Sequence, residues 1–207
     1  MRSPDGDRVR RGRKTPVLDH LDSEEAAAVL RRLLVAHPEN VSETEEIARS
    51  LLRGETYAAI ADEIEEAVQA LDIGDLNARA GAHEWGYVEP SEAAWEILEE
   101  AVEPFVADIE RRVALGLEDA ALQLCQGVVV GLYRAERGKG GELAQWAPDF
   151  FAEAAGGAIN AWRTGSRNGT ACGGAARRNR VRFPQEFVSR FVPDWQGMIR
   201  RILSRSD

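Results

Sequence analysis

The chain has 207 residues, enough for one large domain or one domain with appendages. A composition of 44% hydrophobic and 29% charged residues describes a globular chain able to bury a core, which excludes wholesale disorder and fibrous repeats. The net charge of −9 is unevenly divided: residues 1–15 carry six basic side chains against Asp5 and Asp7, residues 160–207 carry ten arginines against three acidic residues, and the stretch between holds ten basic and thirty acidic residues. The acidic body repels phosphates and anionic membranes, whereas the basic ends attract them or lie against the body.

Residues 1–17 lack apolar periodicity and are predicted to be a basic flexible arm; no apolar run follows their charge, so they do not read as a secretory leader. Asp22 and Glu25 form a capping-box pattern, and Val29, Leu30, Leu33 and Leu34 recur at helical spacing as far as Pro38, which places a first helix over 23–36. Ser42 and Glu45 repeat the signal, and Ile47, Leu51 and Leu52 give the stripe of a second helix over 43–53, ended by Gly54. Tyr57, Ile60, Ile64, Val68 and Leu71 lie on one face of a third helix, about 56–71, and a short helical turn follows at 75–79.

Residues 81–90, GAHEWGYVEP, read as a glycine-rich loop. Ser91 is the expected cap of a long helix running to Gly116, which Pro104 should kink or break. A sixth helix, about 118–136, is apolar over most of its surface and is the expected centre of the core. Residues 137–142 read as a loop, and 149–163 as a helix bearing Phe150, Phe151, Ile159 and Trp162. Residues 164–182 are rich in glycine and arginine and read as a flexible linker.

Beyond it, Phe187, Val188, Phe191 and Val192 make a short amphipathic stretch, and Trp195, Met198, Ile199, Ile202 and Leu203 form a helical stripe opposite Arg200, Arg201 and Arg205. Burying five such side chains contributes roughly 5–10 kcal/mol before ordering costs, so this basic amphipathic segment, 183–207, is expected to dock on the acidic body, in cis or by exchange between copies. The expected fold is all-α, a helical bundle or a short stack of antiparallel helix hairpins, with its acidic domain spanning 18–163. The helix starts SEEAAAVL and SEAAWEIL share only what any capped amphipathic helix shares, and the signature residues of HEAT or tetratricopeptide scaffolds are absent.

Chemistry-bearing patterns are scarce. The residues three before His20, His37 and His83 are Val17, Leu34 and Ala80, so the Glu-x-x-His pairing of helical metal sites does not occur, and neither does a Cys-x-x-Cys pair or an EF-hand loop. The glycines at 138, 140 and 141 lack the Lys-Ser/Thr ending of a phosphate loop, and there is no Gly-x-Ser-x-Gly elbow. No cofactor or metal is expected. Glu92, Glu96 and Glu100, with Glu99 and Glu103, stack at i, i+4 on a face read as solvated. Gly127 and Gly131 should allow close approach to the small-residue run Ala154–Ala158. Cys125 and Cys172 read as reduced thiols.

The candidate interaction residues are His83, Glu84, Trp85 and Tyr87 in the loop before the long helix, where the aromatics either anchor a partner or fold back over that helix. The C-terminal stripe with Arg200 and Arg201 makes up the rest of the set. The longest apolar stretch, 120–133, is too short for a membrane span, and a cytoplasmic location follows by default. Together these observations point to a non-enzymatic helical interaction or adaptor protein with a protein partner or a homo-oligomeric state. The alternative is a nucleic-acid-associated protein that uses its basic termini, and a third reading is an all-α enzyme without a recognisable motif.

Overall fold

The Glu25 amide donates to Asp22 at 2.8 Å and the Asp22 amide donates back to Glu25 at 3.1 Å, so the expected capping box opens the first helix, α1, Ser23–Ala36. The computed structural model describes residues 17–53, 56–84, 86–138, 141–168 and 182–204, and among them the fold is all-α apart from one two-stranded ribbon. A 3₁₀ turn, Pro38–Asn40, separates α1 from α2, Val41–Arg53. The contacts divide the chain into two units, Met1–Ser50 and Leu51–Asp207. None of the described residues of the first unit is buried.

The second unit takes in the end of α2 and then α3, Tyr57–Gln69, capped by the Thr56 hydroxyl, and α4, Ile73–Arg79, capped by Asp72. Next comes a departure from expectation. Residues 81–90 do not form a plain loop: β1, Gly81–His83, pairs antiparallel with β2, Gly86–Val88, in the register Gly81↔Val88, Ala82↔Tyr87 and His83↔Gly86. Gly81 and Gly86 sit at φ of 109° and 146°, which other residues seldom adopt, and strands of three residues are too short to show alternation in sequence.

The long helix, α5, Pro90–Ala114, differs from its prediction in two ways. Ser91 does not cap it; Pro90 occupies the first turn, where its fixed φ and missing N–H cost nothing, and no side chain caps the start. Pro104 does not end it either. That residue is exposed, so the carbonyl its ring leaves without a partner lies on the solvent side, while Val102 and Ile109 hold the opposite face in the core.

The helix α6, Glu118–Arg137, is buried along most of its length and packs on α3, on α5 and on α7, Phe150–Asn168. Its glycines do not meet α7 as expected. A β-carbon on Gly127 would lie 2.5 Å from Ile60, and one on Gly131 would lie 2.7 Å from Ile64, so the close approach is to α3. The small-residue run of α7 instead receives the C-terminal segment, with Ile202 Cδ1 3.1 Å from where a Gly156 β-carbon would stand. In addition, α7 runs five residues into the expected linker; residues 169–181 of that linker, like the arm 1–16, lie outside the described residues.

The C-terminal segment folds as α8, Gln185–Phe191, a 3₁₀ turn Pro193–Trp195, and α9, Gln196–Ser204. It enters the core itself rather than lying on an acidic surface. Phe183, Phe187, Val188, Val192, Trp195 and Ile199 are all buried. Edge-on ring contacts run from Trp162 to Phe183 (5.8 Å), to Phe187 (6.0 Å) and on to Tyr57 (5.3 Å), and Tyr133 meets Trp195 at 5.1 Å. The Tyr133 hydroxyl donates to Asp194 at 2.8 Å, Arg137 pairs with the same carboxylate, and Arg163 donates to the Ile202 carbonyl at 2.9 Å.

Candidate functional site

The ribbon holds the first set of candidate residues. His83 is half-buried, and its Nε2 lies 2.7 Å from the Arg79 carbonyl; a carbonyl only accepts, so the ring proton sits on Nε2. Glu84 is exposed, and Tyr87 is 63% exposed, so Tyr87 does not fold back over α5. Trp85 lies outside the described residues.

Beside the ribbon, α4 and α5 enclose an open groove of about 950 Å³ lined by Leu71, Asp75, Arg79, His83, Glu96 and Glu100 among others. Its chemistry is dominated by one ion pair. Arg79 Nη1 and Nη2 donate to the two Glu100 oxygens at 2.8 and 2.9 Å, and Glu96 lies 3.7 Å away. The hydrogen bond to Arg79 holds the Glu100 carboxyl below the usual carboxylate range and raises Arg79 in turn. Two of the carboxylates read as a solvated face therefore grip a cation, and the arrangement ties α4 to α5. Fully ionised partners of this kind neither give up nor take a proton near neutrality.

The second set sits elsewhere. Trp195 and Ile199 are core residues; Met198, Ile202 and Leu203 are partly buried against the core, and Arg200 and Arg201 are exposed. The apolar stripe singled out in the sequence is thus occupied by this chain's own body. Cys125 is buried without charge partners, which pushes its thiol far above the usual range and leaves it un-ionised. Among the described residues no three His, Cys, Asp or Glu side chains come together to hold a metal ion, and no helix is long and apolar enough to cross a membrane.

Further exposed apolar side chains stand on α1 and on α2. Val29, Leu30, Leu33, Ile47 and Leu51 are between 43% and 75% exposed. On α1 the helical spacing of Val29, Leu30 and Leu33 makes a stripe, with Glu25 and Arg32 at one side of it and Glu24 and Arg31 on the opposite face of the helix. Ala27 and Leu34, one wheel position further round, are partly buried. A stripe reads the same in sequence whether something covers it or not.

Comparison with protein-family models, with curated proteins and with solved structures gives no match for this chain.

Proposed function

We propose that the chain is a non-enzymatic interaction protein in which the helices from Tyr57 onward are the folded support and α1 and α2 are the contact element. One observation carries this reading: α1 and α2 carry apolar side chains at helical spacing and bury none of their described residues. Helices of 14 and 13 residues are marginal in water without packing on the apolar face, so a stripe of this kind needs a second surface to hold it. The Arg79–Glu100 groove supports the reading in a smaller way, because its strongest charges are already satisfied within the chain.

A photo-crosslinking residue placed at Leu33 or Ile47 in the producing cells is expected to give a discrete protein adduct, and the same residue at the exposed Glu63 or Glu110 of the body is expected to give none. Equal, diffuse labelling at all four positions removes the reading.

Exposed arginines favour a second one. Arg190, Arg200 and Arg201 lie in the open on the C-terminal helices, where they are available to phosphates, in keeping with a nucleic-acid-associated role. Titration with mixed-sequence RNA and duplex DNA decides it: binding at low salt that weakens steeply as salt rises supports the role, and no binding at low salt ends it.

A further inference from the structure

We propose that the start of α5 and the turns before α7 form a docking site for an arginine-bearing segment of a partner protein, with a guanidinium seated among Trp95, Trp146 and the carboxylates of Glu92 and Asp149. The site lies on the folded body and does not depend on the reading of α1 and α2. Between α6 and α7 the chain makes turns whose inner side chains, Leu143 and Ala147, are buried, and the Trp146 amide donates to the Leu143 carbonyl at 3.0 Å. The same geometry leaves Trp146 40% exposed. Trp95, on α5, is partly buried and rests edge-on against the buried Phe150 at 5.2 Å. The two tryptophans, with Glu92, Glu96, Pro148 and Asp149, line an open hollow of about 510 Å³.

Charge decides what fits there. No basic side chain lines the hollow, and among the described residues Glu92 and Asp149 enter no ion pair. Glu96 is shared with the neighbouring groove, where Arg79 stands 3.7 Å from it and donates to Glu100 with both Nη atoms. This face of α5 thus already takes a guanidinium from its own chain. An indole attracts any cation, but a guanidinium also stacks flat on it and forks onto a carboxylate, which an ammonium does not. Glu96 further lines a second hollow with Glu99, Glu100, Glu103 and Pro104, again without a basic side chain. From the level of Glu92 to that of Glu99 or Glu103 is roughly 10–16 Å at about 1.5 Å per residue, a distance that two arginines about four apart on an extended segment cover. An acidic hollow on α3, lined by Asp62, Glu65 and Glu66, has no aromatic side chain, and Arg134 already pairs with Asp62 at 2.6 Å, so it does not offer the same site.

Fluorescence anisotropy of a labelled Gly/Ser peptide carrying two arginines about four apart, titrated with the full chain at low salt, tests the proposal. Saturable binding is expected. It should weaken at least ~10-fold when citrulline replaces both arginines, keeping the shape without the charge, and clearly when lysine replaces them, keeping the charge without the planar fork. Trp146→Ala should weaken it by about 10-fold. Because that change also touches the turn, Glu92→Gln with Asp149→Asn, at two exposed positions, should produce a similar loss without moving the thermal transition. Glu65→Gln with Glu66→Gln removes as much charge from the α3 hollow and should leave binding nearly unchanged. The proposal is overturned by the absence of saturable binding, by a lysine peptide that binds as tightly as the arginine one, by full binding to Trp146→Ala, or by equal losses from the two carboxylate pairs.

Discussion

Ile64 packs directly on Gly131: a β-carbon at position 131 would stand 2.7 Å from the Ile64 β-carbon and 2.8 Å from the Ala61 carbonyl oxygen. One turn earlier, Gly127 stands in the same relation to Ile60 and to the Tyr57 carbonyl. Both partners are spaced four apart, so a ridge of α3 lies in a groove that the two glycines open along α6. Glycine inside a helix costs about 1 kcal/mol relative to alanine, and here the cost is met by bringing two helix backbones together around buried isoleucines.

Gly131→Ala and Gly127→Ala are therefore expected to destabilise the protein by about 1–3 kcal/mol each, because backbone and a branched β-carbon cannot step aside as a flexible side-chain end does. Gly157→Ala, on the exposed side of α7 with nothing within 4 Å of the added carbon, should stabilise by about 0.5–1 kcal/mol. Urea unfolding of the three variants checks the signs, and a neutral or stabilising Gly131→Ala would show that the two helices are not in close contact there.

Glu136 and Glu100 give stability of opposite pH dependence. Partial burial raises the Glu136 carboxyl above its ordinary value of 4.5, although Arg137 draws it back somewhat; its place in the last turn of α6 is also the end where a negative charge is least welcome. A carboxyl raised in the folded state costs stability as pH climbs through the unfolded and then the folded value, and costs nothing below both. Glu136→Gln should accordingly raise the melting temperature by about 1–3 °C at pH 7 and lose that gain near pH 4. Glu100, lowered by Arg79, has the reverse sign: its contribution is present at neutral pH and disappears as pH falls through its lowered value, so Arg79→Met should cost most at neutral pH and least in acid. Thermal melts across pH separate the two.

Cys125 should be silent toward thiol reagents in the native protein, since burial without a cationic neighbour keeps it protonated and out of reach. With Cys172→Ser in place, a chromogenic disulfide reagent is expected to react at Cys125 only in denaturant, at a rate set by unfolding. Prompt native labelling would show that α6 opens locally.

How far the sequence was legible depended on whether a feature is local. The capping box at Asp22 and Glu25 involves residues three apart, and α1 begins where those residues say it should. The apolar surface of residues 118–136 likewise required burial on more than one side, and α6 is the most enclosed helix. Features that depend on a distant neighbour were not legible. Gly127 and Gly131 announced a close approach but not to which helix, and Val29, Leu33 and Ile47 announced a stripe but not that it stays open. Tyr133 and Arg137, which hold Asp194, lie sixty residues from it in sequence and formed no motif. Pro104 misled because its cost depends on which side of α5 faces solvent.

The C-terminal segment is expected to be part of the fold. Trp195 rests edge-on against Tyr133, Phe187 against Tyr57, and Ile199 is fully enclosed, so each replaces surface that α3, α6 and α7 would otherwise expose. Trp195→Ala should cost about 3–5 kcal/mol, and Phe187→Ala a similar amount, through lost burial and the cavity each leaves. Tyr133→Phe removes only the hydroxyl that donates to Asp194, and because Arg137 still pairs with that carboxylate, a loss near 1 kcal/mol is expected. Ending the chain after Asn168 takes away all of these contacts together, so the truncated protein should bind a hydrophobic dye and aggregate. Comparing the urea midpoints of the three substitutions with dye binding by the truncated chain tests this directly: if truncation leaves stability and dye binding unchanged, the segment does not sit in the core, and its arginines and apolar stripe are free for an external partner.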